Sequence, residues 1–427
     1  MNYGEGFSFG SNATYTQPFL KGFSLILNYG IDADNSVSDR QSYNKGADGA
    51  FSDFDEAFSN KFELKQFSHR TGAIINYKKG ETTVNFGSRI SFVNFEQIDK
   101  YNNDYFSRDF INLNPQVYIR HSFSKQRSIR LDYNGSNRQP SVSEIQPVRT
   151  NNDPLNIRLG NPALKPSFSN RFSLSFNDYK VISGQSIYVT GGYNFTSNDI
   201  VDSRSTDAVG VSRFQSVNLT SKSPSNYWAY FHYSKSVKAL WNANIGMELN
   251  TNGNTYFSYI NDQLNRTISN SISPMLTVSK WEQKKFELYF NFGPSYNRSE
   301  SSLQPELNNN GWGWSGYGSI GLYLPGKIQI STSVNYTYQP KTVSFNQAFE
   351  QTILNARLEK KFSKNDNFTL ALSGRDLLNQ NTGFQRNAYG NTITETRFNT
   401  IRRYFMLSFS WDFNKMGGLN KSKAETE

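Results

Sequence analysis

Residues 167–177 read Ser-Phe-Ser-Asn-Arg-Phe-Ser-Leu-Ser-Phe-Asn, with Phe168, Phe172, Leu174 and Phe176 on even positions and Ser167, Ser169, Arg171, Ser173, Ser175 and Asn177 on odd ones. A period of two sends the two sets to opposite faces of a β-strand, one meeting something apolar and the other something polar. The alternation returns on both sides of this stretch. Ile187, Val189, Tyr193 and Phe195 oppose Ser186, Thr190 and Asn194, and Ile111, Leu113, Pro115, Val117 and Ile119 oppose Asn112, Asn114, Gln116 and Arg120. Phe23, Leu25, Leu27, Tyr29 and Ile31, then Trp241, Ala243, Ile245, Met247 and Leu249, then Ile328, Ile330, Val334, Tyr336 and Tyr338, do the same. No comparable stretch keeps the helical period of 3.6. Strands of soluble sheets usually run about five or six residues. These run about ten or more, the length a tilted strand needs to cross a bilayer.

Composition narrows the classes. The chain has 427 residues, 15% of them aromatic and 19% charged, with no cysteine and three histidines. A helical membrane bundle is excluded, because no run approaches the ~20 apolar residues a spanning helix needs. Disulfides and cysteine-ligated metals are excluded, and His69, His121 and His232 are too far apart in sequence to share a ligand spacing. The abundance of aromatics argues against disorder. The formal charge of +10 is dispersed rather than run together, which argues against nucleic acid. Pairs such as Lys78-Lys79, Lys284-Lys285 and Lys360-Lys361 stand at the ends of apolar stretches, where they suit solvent or anionic lipid headgroups.

Connections alternate in length. Short turn signals fall at Lys78-Lys79-Gly80, Ser124-Lys125-Gln126, Ser183-Gly184 and Pro325-Gly326, while long polar segments span roughly 36–60, 98–107, 138–165, 250–265, 298–311 and 378–397. Short turns on one side and long loops on the other are the layout of outer-membrane barrels. Aromatics gather near strand ends, as at Trp228, Tyr230 and Tyr233 or Trp312, Trp314 and Tyr317, at headgroup level. The last alternating stretch places Phe405, Leu407, Phe409, Trp411 and Phe413 on one face. It resembles the terminal strand that outer-membrane proteins present to the barrel-assembly machinery, although a polar tail from Asn414 to Glu427 follows it.

The expected architecture is therefore an all-β transmembrane antiparallel barrel over residues 1–413, with residues 414–427 as a polar tail. About 17 strands can be counted, or 16 if one is miscounted, whereas bacterial single-chain barrels hold an even number. Residues 1–30 show no charged and apolar pair of regions typical of a secretory signal. Both observations lead to the expectation of a chain truncated upstream.

The stretch from Arg138 contains Arg138-Gln139-Pro140-Ser141 and then Gly160-Asn161-Pro162-Ala163-Leu164-Lys165-Pro166. This resembles the R-x-P-S and G-N-P-x-L-K-P run in barrels of TonB-dependent outer-membrane receptors and of the related outer-membrane β-barrel family proteins. Gly374-Arg375-Asp376-Leu377-Leu378-Asn379 resembles a second stretch before the last extracellular loop of that superfamily. The resemblance implies a 22-stranded barrel, plugged by an N-terminal domain and energised by the TonB complex, that imports a scarce bulky nutrient such as a siderophore, glycan or peptide. Neither plug nor TonB-contacting segment is among these residues. The implied surroundings are outer-membrane lipid, lipopolysaccharide and a surface lipoprotein, with no nucleic acid, cofactor or catalytic group. Loop residues expected to meet ligand are Tyr101, Tyr105, Tyr256, Tyr259, Trp312 and Asp55.

Several motifs are decoys. Gly316-Tyr317-Gly318-Ser319-Ile320-Gly321 spells a dinucleotide fingerprint but lies inside an alternating stretch, without the helix that chemistry needs. The carboxylates Asp32, Asp34, Asp39, Asp48, Asp53, Asp55 and Glu56 lack EF-hand spacing. Two rival readings share much of this pattern: a non-transporting barrel in adhesion or envelope organisation, and a secreted all-β binding protein, which would stay soluble without detergent.

Overall fold

The computed structural model describes residues 2–56, 59–101, 104–145, 155–305, 308–343, 345–362, 366–389 and 392–412. Phe413 and the polar tail lie outside them. The strands begin with β1 (Asn2–Leu20), β2 (Phe23–Arg40), β3 (Tyr43–Lys45), β4 (Phe51–Phe54), β5 (Asn60–Lys79), β6 (Thr82–Asp99), β7 (Asp104–Ser124) and β8 (Arg127–Arg138). A single helical turn, α1 (Val142–Ile145), precedes β9 (Asn156–Leu159), β10 (Ser167–Lys180), β11 (Gln185–Ser197), β12 (Asp199–Thr206) and β13 (Ser212–Leu219). Next come β14 (Ser225–Val237), β15 (Ala243–Ile260), β16 (Gln263–Glu282), β17 (Phe286–Ser301), β18 (Gly311–Leu324) and β19 (Ile328–Gln339). The chain continues through β20 (Phe349–Phe362), β21 (Phe368–Arg375), β22 (Phe384–Tyr389), β23 (Thr392–Arg397) and β24 (Tyr404–Trp411). No described helix is long and apolar enough to cross a membrane.

Two compact units are distinguished: Met1–Tyr233 with Leu249–Ile272 and Arg298–Asn309, and Ser234–Glu248 with Ser273–Asn297 and Asn310–Glu427. In the first, β1, β2, β5, β6, β7, β8, β10 and β11 form an antiparallel meander in that order. Register carries the sequence alternation across it. Leu25, Ile75, Phe86, Val117, Tyr133, Phe172 and Tyr193 stand directly opposite one another on seven successive strands. One residue away, Ser24, Asn76, Asn85, Tyr118, Asp132 and Ser173 form the matching row on the other face. Because side chains alternate strictly, a slip of one residue would exchange the two rows.

In the second unit β17, β18, β19, β20, β21 and β24 form another antiparallel meander. There Phe286, Leu322, Ile330, Leu358, Leu372 and Leu407 make a row that is apolar throughout. These apolar rows are not a buried core: Leu407 is 70% exposed, and Phe86 and Phe172 about half as exposed as free residues at 45% and 44%. Water would not tolerate such a surface on a soluble monomer. Among the described residues, a buried hydrophobic cluster of Val93, Phe95 and Phe110, with Leu64 and Phe106 against it, lies near the loop ends of β5 to β7.

The glycine run at 316–321 is a packing device inside β18. A Cβ on Gly316 would stand 2.7 Å from the Phe292 ring, which stacks on Trp314 at 5.5 Å between centroids. Two stretches whose alternation in sequence predicts single strands, 186–202 and 213–234, are each divided in two. The stretch 186–202 stops at Ser197, where Asn198 turns left-handed (φ 53°) and starts β12. The stretch 213–234 breaks before Pro224, which donates no ladder hydrogen bond of its own while its carbonyl accepts the Thr196 N–H at 3.0 Å. The result is a β12–β13 hairpin, separate from the meander strands that flank it.

Candidate functional site

The longest connections, such as those from β2 to β5, β8 to β10, β19 to β20 and β21 to β24, fall at one end of each unit, which the four-residue connection between β6 and β7 shares, and the remaining meander turns fall at the other. In the first unit the family-type segment is folded into the end that carries the long connections. Ser141 caps α1, with its hydroxyl 2.9 Å and its backbone N–H 2.7 Å from the Glu144 carboxylate, a capping-box arrangement. Arg138 closes on the same carboxylate at 3.0 Å. Burial pushes the Glu144 carboxyl up, but the Ser141 N–H, the Arg138 guanidinium and the Ser141 hydroxyl outweigh it and hold the group below its ordinary value. Nearby Asp199, half-buried, is pushed up chiefly by that burial.

The remainder of the segment is held by its backbone. Arg108 donates to the carbonyls of Leu164 (2.5 Å) and Pro162 (2.7 Å), Gln215 to Gly160 (2.8 Å), Asn198 to Pro166 (2.9 Å), and Asn161 to Ser216 (2.9 Å). Asn218 both accepts the Lys165 N–H at 2.8 Å and donates to the Lys165 carbonyl at 2.9 Å. Pro140 is buried, and Ile145, Leu164 and Leu219 are 1%, 0% and 0% exposed. The sheet beneath is unusual for this chain. β9 runs parallel to β13 (Asn156 opposite Ser212), and β12 runs parallel to β15 (Ser203 opposite Tyr259). The motif residues Arg138, Pro140, Gly160, Asn161, Pro162 and Pro166 thus form a clamp rather than a ligand pocket. Nothing local in sequence marks its donors Arg108, Asn198, Gln215 and Asn218, whose side chains reach carbonyls 32 to 56 residues away.

The expected ligand residues divide by face. Tyr101 is half-buried and donates to Asp39 at 2.8 Å, accepts from Gln41 at 3.0 Å and meets the Phe54 ring at 5.4 Å. Burial first, and the Asp39 carboxylate with it, raise its hydroxyl above the ordinary value against the opposing Gln41 amide. Asp55, next to Phe54, accepts from Asn44 at 2.8 Å. Tyr101, from the connection between β6 and β7, thus packs against the first long loop beside Asp55. Tyr256 and Tyr259 lie on β15, three residues apart and so on opposite faces, because β15 runs on to Ile260 and turns tightly at Asn261-Asp262 into β16 where a long polar loop over 250–265 is expected. Tyr105, 60% exposed, shares its pleat with Ile111 and Leu113 on the apolar face of β7, and Trp312, 57% exposed, shares its pleat with Ile320 and Leu322 on β18.

Two cavities open on the polar side and the loops. On the inner face of the first unit a cavity of about 470 Å³ is lined by Asp32, Asp34, Gln66, Ser68, Arg70 and Asn112 among others. Arg70 grips Asp32 through two nitrogens, each at 2.7 Å, and Ser68 donates to the same carboxylate at 3.2 Å. Asp39 pairs with Lys61 at 3.3 Å, so these acidic residues are engaged by cations of the wall. In the second unit a cavity of about 650 Å³ is lined by Phe345, Phe349, Phe384, Arg386, Arg397 and Arg402 among others. Arg386 staples it, donating to Gln339 Oε1 at 2.9 Å and to the carbonyl of Gln347 at 2.6 Å, with its guanidinium 4.7 Å from the Phe345 ring centre.

Comparison with known proteins places the chain. A profile described as the outer membrane protein beta-barrel family matches residues 5–271 and 247–411. Among solved structures, the chain is similar to BauA, the ferric preacinetobactin receptor from Acinetobacter baumannii, at 10% identity over 96% of this chain and 64% of that one, with a TM-score of 0.46. It is similar to the ferripyoverdine receptor of the outer membrane of Pseudomonas aeruginosa at 9% identity, over 95% and 56% of the two chains, with a TM-score of 0.41. For the RagAB peptide importer the values are 10%, 88%, 59% and 0.36. The chain spans less than two thirds of the length of each. No curated protein sequence matches it.

Proposed function

The chain belongs to the outer membrane protein beta-barrel family, and from that premise we propose that it is the barrel portion of a TonB-dependent receptor that imports a scarce, bulky nutrient. Its place is the cell outer membrane, where the apolar rows meet lipid and the polar rows face inward. The observation that carries the import reading is the polar cavity of about 470 Å³ on the inner face. Such a surface exchanges hydrogen bonds with a hydrated, polar cargo at little net cost.

In this reading the loop end captures cargo first, through Asp55 on the first long loop, Tyr101 on the connection between β6 and β7, and Tyr256 on β15. Tyr105, Tyr259 and Trp312 are assigned instead to the aromatic girdle, because they share their pleats with apolar residues. A plug driven by the TonB complex opens the route along the inner wall, and a surface lipoprotein helps retain the cargo outside. The alternating face of β24, from Phe405 to Trp411, is what the barrel-assembly machinery reads.

The test is growth. A strain lacking the gene is compared with its parent on iron-restricted, glycan-only and peptide-only media, each with and without a working TonB complex. Import requires that one medium reveal a defect, and that loss of TonB reproduce it. Equal growth of the two strains on all three media sinks the reading.

A further inference from the structure

The turns at the end of each unit opposite the long connections are basic. In the first, Lys21, Lys79, Lys125 and Lys180 lie at or beside the four turns that join β1 to β2, β5 to β6, β7 to β8 and β10 to β11. In the second, Lys238, Lys284, Lys327 and Lys361 do so for β14 to β15, β16 to β17, β18 to β19 and β20 to β21. The net positive charge alone does not explain this. The first long loop, residues 41–59, carries Asp48, Asp53, Asp55 and Glu56 against a single lysine, Lys45.

In the second unit the basic turns are laced together. The Tyr323 N–H donates to the Lys285 carbonyl at 3.0 Å, and the Lys361 N–H to the Lys327 carbonyl at 3.1 Å, so three consecutive turns are fixed side by side. Lys284 and Lys327 occupy left-handed backbone positions (φ 57° and 60°), which fixes the backbone at both turn tips. Lys327 pairs with Asp366 at 2.5 Å. That contact first, and Lys361 and Lys284 after it, hold the Asp366 carboxyl below its ordinary value. Glu282 in the first of these turns is met by Lys280 at 2.8 Å and by Lys285, so the lysines of the three turns still outnumber their carboxylates. Immediately above them the apolar face begins, with Leu324 43% exposed, and the same end of the unit carries Trp281 at 67% and Trp241 at 79% exposed. The Lys280 ammonium holds the Trp241 carbonyl at 2.5 Å. Cations at the rim, aromatics at headgroup level and an oily face beyond them match the three zones of an anionic lipid.

We propose that this lysine rim, centred on Lys284, Lys327 and Lys361, docks the phosphate headgroups of anionic phospholipids in the periplasmic leaflet, the leaflet that short barrel turns face. The proposal rests on membrane placement and not on import, so a negative growth test leaves it standing.

The experiment reconstitutes the full protein in nanodiscs of phosphatidylcholine containing a minor share of phosphatidylglycerol, and measures the lipids retained after delipidation in mild detergent. The wild type should retain phosphatidylglycerol over phosphatidylcholine by roughly five-fold or more. Lys284→Gln, Lys327→Gln and Lys361→Gln combined should abolish the preference, while Lys45→Gln with Lys222→Gln in the loops should keep it. No preference in the wild type, or an undiminished one in the triple variant, overturns the proposal. Should the triple variant fail to fold, the thermal shift of the wild type on adding phosphatidylglycerol, against that of Lys361→Gln, decides: no shift, or equal shifts, overturns it as well.

Discussion

At the scale of single residues, the chemistry is concentrated in side chains that hold the loop mouth. Arg108 serves two carbonyls of the clamp, and its guanidinium also lies 5.7 Å from the centre of the Phe106 ring. Arg108→Ala leaves the Leu164 and Pro162 carbonyls short of partners, and about 2–3 kcal/mol of local stability should go with a lost pair of charge-assisted bonds. Hydrogen exchange at the Asn161 and Leu164 amides reads this directly, and unchanged protection there would refute it. Glu144 adds a pH dependence. Its folded value lies below the ordinary 4.5, so the fold prefers the carboxylate. The stabilisation is complete above the unfolded value and is lost as pH falls through the folded one. Asp199, shifted up by burial, works in the opposite sense, its protonation relieving a cost. Protection of the Leu164 amide should therefore fall on acidification below about pH 4.5 in the wild type and fall less in Glu144→Gln.

Elements carry the two-faced character that the membrane demands. Val334 stands on the apolar face of β19 opposite Leu354, and Ser333 on the polar face opposite Asn355. Val334→Arg should cost about 2–4 kcal/mol if it meets the bilayer midplane, and Ser333→Arg much less. The yield of heat-modifiable protein in outer-membrane fractions compares them, and equal yields would count against the facing assigned here. This alternation is the part most legible in sequence, because side-chain direction along a strand depends only on neighbours in the chain. Each of the counted stretches finds a strand, although two of them divide in two, while the short strands β3, β4, β9, β22 and β23 answer to no counted stretch, and the turn signals fall near the tight turns. What was not legible depends on distant partners. A left-handed Asn198 ends β11, and the β12–β13 hairpin with its parallel neighbours is made by pairings that no local pattern announces. The Arg138 to Pro166 segment was recognisable as a motif, yet its role emerges only with Arg108, Asn198, Gln215 and Asn218 around it.

Across the whole molecule, the absence of cysteine permits a direct test of orientation. A cysteine replacing Lys45 in the first long loop should react with a membrane-impermeant maleimide on intact cells, whereas one replacing Lys21 in a tight turn should react only after the outer membrane is breached. The reverse pattern would invert the assignment of loops to the outside and would undermine both the import reading and the lipid rim. Assembly follows from a different feature. An antiparallel meander can grow one hairpin at a time, but β9 on β13 and β12 on β15 are side-by-side pairings of like direction, which no hairpin can close. Each has to wait for both of its strands to arrive, and ladders that join remote parts of a chain are slow to form. The entrance is thus the last region to set, and a barrel caught midway through biogenesis would already be seated in the bilayer while its vestibule was still unlatched.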